Sequence, residues 1–120
     1  MNSGDDPIDA YYILKPAQYS VLESLSLTRS TDPVLTGRFD LLLRLAPPTN
    51  PVSKCLSILF AGVRELKIGT LDHMRVSHLL VDISSIRKDQ LENLNYRIVE
   101  NEENAFSFSC ANFTAEICDR

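Results

Sequence analysis

The chain has 120 residues, 44% of them hydrophobic and 23% charged, the size and balance of one ordinary globular domain. A net charge of −4 and a pI near 5.1 argue against a general nucleic-acid binder and suit a chain that meets a basic protein partner. No apolar run approaches the roughly 18 residues of a membrane span, and Met1 to Pro7 lacks the basic and apolar regions of a signal peptide. Cys55, Cys110 and Cys118 are odd in number and show no C-x-x-C spacing, so a reducing, cytoplasmic setting is expected.

In chain order, residues 1–9 read as a flexible acidic tail, and residues 10–120 as a single β-rich domain. Ala10 to Leu14 is a short apolar run stopped by Pro16, and is predicted as a first edge strand. Ala17 to Thr28 can be read either way. Tyr19, Val21, Leu25 and Leu27 share one parity with Glu23 as the exception, which favours a strand, while Tyr19, Leu22 and Ser26 have helical spacing. Arg29 to Pro33 is a turn.

The strongest pattern runs from Arg38 to Ile68. Phe39, Leu41, Leu43 and Leu45 alternate with Asp40 and Arg44, and Leu56, Ile58 and Phe60 repeat the alternation. Ala46 to Lys54 carries three prolines and connects the two segments. The period stumbles at Ala61-Gly62-Val63, which predicts a bend or bulge where two sheets share one strand.

A loop from Gly69 to Arg75 precedes a predicted strand over Val76 to Ile83. Ser84 to Asn93 is the expected short helix, capped by Ser84 or Ser85. Leu94 to Val99 and Ala105 to Cys110 alternate as a hairpin across the polar turn Glu100 to Asn104. Phe113, Ala115 and Ile117 form the last strand. The fold class is therefore mainly β: an antiparallel β-sandwich or partly open barrel of roughly seven or eight strands with one short helix.

The chemistry-bearing residues are sparse. Asp72, His73, His78 and Asp82 are the one metal-like group, but His78 and Asp82 would lie about 13 Å apart along a strand, so no metal is assigned. Cys110 has inward parity and reads as a small core residue. The sequence has no G-x-S-x-G elbow, G-x-G-x-x-G or phosphate loop, so no catalytic residue and no cofactor is assigned. Glu100, Glu102 and Glu103 cluster on the hairpin turn and are the candidate partner-binding residues, able to steer a basic protein.

Leu56 to Leu66 (Leu-Ser-Ile-Leu-Phe-Ala-Gly-Val-Arg-Glu-Leu), Val81 to Ser84, Asn95 to Val99 and Phe106 to Ala115 carry a resemblance. Over roughly Tyr19 to Ile117 the chain looks like a group of small bacterial β-rich proteins and is similar to the polymorphic-toxin immunity family numbered fifty. That resemblance implies inhibition of a bacterial toxin by binding, with no catalytic residues to carry over.

The leading expectation is a non-enzymatic protein-binding domain of the immunity type. The alternatives are a small-molecule-binding barrel or minor enzyme, marked by an enclosed polar pocket, and a structural homo-oligomer formed through strand edges.

Overall fold

A computed structural model of the chain describes residues 6–35, 37–48, 54–69, 79–86, 94–102 and 104–119. Helix α1 (Asp6–Ile13) comes first. Seven antiparallel strands follow: β1 (Val21–Arg29), β2 (Phe39–Ala46), β3 (Lys54–Ile68), β4 (Val81–Ser85), β5 (Tyr96–Glu100), β6 (Phe106–Cys110) and β7 (Asn112–Asp119). They form one sheet in the order β1-β2-β3-β6-β5-β4, with β7 on β3. The sheet is mainly β as expected, and it is not a closed barrel.

The predicted central hairpin is its spine. β2 pairs with β3 from Leu45↔Leu56 to Phe39↔Val63. Leu41, Leu43, Leu45, Leu56, Ile58 and Phe60 all point into the core. β6 and β7 together run antiparallel along the whole of β3, from Ile68↔Phe106 to Lys54↔Asp119. The first half of β3 thus belongs to the layer β1-β2-β3-β7, and its second half to the layer β3-β6-β5-β4.

The bend falls where the period stumbles. Gly62 has φ +70°, in the left-handed region that favours glycine. Its N–H donates to Asp40 Oδ1 at 3.2 Å, and Ala111 N–H donates to the Ala61 carbonyl at 2.9 Å across the bend. A Cβ on Gly62 would lie 3.0 Å from both methyls of Leu35 and 3.2 Å from the Ala111 Cβ.

Aromatic rings fill the space between the layers. Phe60 meets Phe108 edge-on at 4.9 Å, and Tyr96 meets Phe113 edge-on at 4.9 Å. Tyr11 joins them from α1, fully buried, with its ring 6.3 Å from Phe113 and its hydroxyl donating to the Val81 carbonyl at 2.6 Å. Burial pushes the Tyr11 phenol far above its ordinary pKa.

Three local expectations are corrected. Ala10 to Ile13 is helical and not an edge strand. Pro7 sits in the first turn of α1, where a missing N–H costs nothing, and the helix is ended by Lys15 at φ +58° and by Pro16. One face of that helix inserts Tyr11, while Ile13 is 76% exposed. The helix thus begins inside the stretch that the sequence assigned to a tail. Second, Ser84 and Ser85 are not helix caps; they end β4, paired with Arg97 and Tyr96. Residues 87–93 of that expected helix lie outside the described residues. Third, the break before the last strand falls at Ala111, and Asn112 already belongs to β7.

The ambiguous stretch is a strand from Val21, and Glu23 is its irregular residue. The register jumps between Leu22↔Leu45 and Ser24↔Arg44, so Glu23 is the extra residue of a bulge. The bulge returns Leu25 and Leu27 to the face that Leu22 shares.

Two substitutions test this account. Gly62→Ala is expected to lower stability by roughly 1–3 kcal/mol in urea unfolding, from the unfavourable φ and the approach to Leu35. Tyr11→Phe is expected to cost about 1–2 kcal/mol at pH 8, the worth of a buried hydrogen bond. Because the folded phenol is raised above 10.0, its contribution is complete below pH 10 and is lost as pH rises beyond it. At pH 11 the gap between wild type and Tyr11→Phe should therefore be about 1.4 kcal/mol smaller than at pH 8.

Candidate partner-binding surface

Alternation along β5 and β6 decides what faces outward. Tyr96, Ile98 and Glu100 are buried on β5, so Arg97 and Val99 face away from the core. Phe106, Phe108 and Cys110 are buried on β6, which directs Ser107 and Ser109 to the opposite face, where Ser107 is half-buried and Ser109 is itself buried. Pairing aligns them in two rows across three strands. Val99, Ser107 and Lys67 make one row, and Arg97, Ser109 and Arg64 the next. A bulge between Arg64 and Lys67, with Glu65 at φ +59°, keeps both cations on this face.

Arg97 is held by its Nη1 donating to Ser109 Oγ at 3.3 Å. Among the described residues, Arg64, Lys67 and Arg97 have no ion pair, whereas Lys54 pairs with Asp119 at 3.4 Å. An open groove of about 400 Å³ lies along this face. Arg97, Val99 and Ser107 form its floor. Lys67, Ile68 and Gly69 stand on one side, and Glu100 and Asn104 of the hairpin turn on the other. A second hollow of about 300 Å³ continues past Glu65 and shares Lys67 and Arg97.

The hairpin turn was the sequence candidate, and its acids have separate places. Glu100 is fully buried. Its Oε2 accepts the N–H groups of Leu80 at 3.0 Å and Glu102 at 2.8 Å, and its Oε1 accepts Ala105 N–H at 2.9 Å. Asn101 N–H donates back to the Leu80 carbonyl at 2.9 Å. Glu100 therefore fixes the turn and ties it to the start of β4. Glu102 is exposed on the turn, and Glu103 lies outside the described residues. The structure brings the Glu100–Asn104 turn to the rim of the groove, but the charge on the groove floor is positive.

The sequence reading missed Arg64, Lys67 and Arg97 because it weighed charges along the chain and not across strands. The signal existed in the parity of β5 and β6. The same parity marks Glu100, which follows Tyr96 and Ile98 inward.

Other candidates are placed as follows. Asp72, His73 and His78 lie outside the described residues. Asp82 accepts from the Tyr12 hydroxyl at 3.4 Å and from Asn101 Nδ2, and Ile83 N–H on the outer edge of β4 donates to the Tyr12 hydroxyl at 3.1 Å. Cys110 is buried in the core, which pushes its thiol up to about 12. Cys55 and Cys118 face each other across β3 and β7 as free thiols.

The chain belongs to the immunity protein PIM8 family, whose model matches residues 3–116. The expected immunity class is thus found, under a different family number from the one the resemblance suggested. No curated protein and no solved structure matches the chain.

The turn's dependence on one carboxylate is testable. Glu100→Gln puts an amide donor where three N–H groups converge, and is expected to cost about 2–3 kcal/mol in urea unfolding. Amide hydrogen exchange should quicken at Leu80, Glu102 and Ala105 before the rest of the sheet.

Proposed function

We propose that this chain is a direct toxin inhibitor: it binds a toxin and occludes the toxin's working surface, with no chemistry of its own. Membership of the immunity protein PIM8 family across residues 3–116 is the observation that carries this reading. Supporting it is the groove at the open end of the second layer, where the Arg97 guanidinium is held by Ser109 Oγ. Rigid presentation lowers the ordering cost of association.

The net charge of −4 would draw a basic toxin toward the chain as a whole, and exposed Glu102 on the turn adds to that field. The contact itself is decided by local charge, which at the groove is positive. The reading as a structural homo-oligomer has one observation in its favour. Among the described residues, β1 pairs only with β2, and its exposed outer edge carries Leu27.

The test is a titration of the purified chain with candidate toxin domains encoded beside its gene. A one-to-one complex with a nanomolar Kd, and restored growth of cells expressing the toxin, are expected. Absence of both binding and protection would overturn the proposal. A free chain of twice the monomer mass by light scattering would favour pairing through β1.

A further inference from the structure

Resting on the toxin-inhibitor reading, we infer that the groove on the outer face of β3, β6 and β5 is the docking site, and that it takes an acidic segment of the toxin. The occupant follows from charge. Arg97 and Lys67 line the groove and Arg64 stands in the next row of the same face; of the nearby acids, Glu65 sits on the intervening bulge, Glu102 on the turn, and Glu100 is buried accepting three backbone N–H groups. None of the three cations is ion-paired among the described residues, in a chain whose overall charge is −4. Cations left unneutralised on an acidic protein are available to carboxylates from outside.

Geometry favours an extended segment. The groove's lining spans all three strands, with the Ser107 hydroxyl between Lys67 and Arg97. Val99 gives the floor an apolar strip, and Ile68, 44% exposed, lies on the Lys67 side. A segment with two or three carboxylates flanking an apolar residue would meet a donor or an apolar surface at each position. Arg97 is already oriented by Ser109 Oγ, so its guanidinium is held ready for a paired contact.

The position is also open. β2 ends at the Phe39↔Val63 pair, and the described residues place no strand on the other side of Arg64 to Ile68. A partner can therefore reach Arg64 and Lys67 without displacing any part of the described fold.

Two measurements test the site separately from the function. In the first, toxin-domain affinity is compared between wild type, Arg64→Gln/Lys67→Gln, Lys67→Glu/Arg97→Glu, and the control Lys15→Glu on the exposed end of α1. The neutralised pair should bind at least 10-fold more weakly and the reversed pair at least 100-fold, with Lys15→Glu within 2-fold. Circular dichroism and thermal unfolding confirm that each variant is folded. Equal affinity in all variants would overturn the groove while leaving the inhibitor reading intact; no affinity in wild type would overturn both.

The second measurement needs no toxin. Hexaglutamate is titrated into the isotope-labelled chain at low salt, where exposed charges are least screened. Amide shifts should concentrate on residues 64–69, 97–99 and 107–109 and vanish on adding 300 mM salt. Shifts spread over Lys15, Arg29 and Lys54, or no shifts at all, would count against a groove built for carboxylates.

Discussion

A single strand that serves two layers sets the rest of this structure. β3 can do so because Gly62 takes φ +70°, which turns the chain without a side chain between Leu35 and Ala111. Asp40 fixes the turn by accepting the Gly62 N–H. The partner strand bends at the same level, where Ala111 separates β6 from β7. With both spine strands bent together, the two layers curl toward each other. Phe60, Phe108, Phe113 and Tyr96 fill the interior. Tyr11 closes it from the helix, and Leu79 N–H reaches the Ser20 carbonyl at 2.8 Å, just before β1 and β4 begin.

The same bend creates the candidate surface. β2 follows the first half of β3 and stops at the turn, so among the described residues the second half has only β6 beside it. That half carries Arg64 and Lys67 outward, level with Ser109 and Ser107. The turn from β5 to β6 forms the other side, held by Glu100 from underneath. One carboxylate therefore shapes the rim, while Arg97 and Lys67 line the groove and Arg64 stands in the next row of the same face. Burial of Glu100 on three N–H donors is a structural use of a residue type that is seldom fully buried.

Much of this was legible in the residues. Alternation from Phe39 to Phe60, the stumble at Gly62 and the inward run of Phe106, Phe108 and Cys110 all correspond to structure, because each is a period-2 signal over a strand buried on one face. Glu23 broke the parity of the first strand because it is the bulge residue. Helix α1 was not legible. Its eight residues bury only one large ring completely, and its stability comes from what Tyr11 and Tyr12 reach across the fold: the Val81 carbonyl, Asp82 and the Ile83 N–H. The cationic floor was hidden for a related reason. Arg64 and Arg97 are 33 positions apart in the chain, and only the register of β3, β6 and β5 puts them in one row. Family membership, in turn, supplied the functional class that no motif in the chain carries.

Hydrogen–deuterium exchange of the chain, free and bound to a toxin domain that it inhibits, tests most directly whether the toxin is held at this groove. Slowed exchange at residues 64–69 and 97–107 is expected on complex formation, with β1 unchanged. Protection confined to β1 or to helix α1, with the groove exchanging as in the free chain, would contradict it.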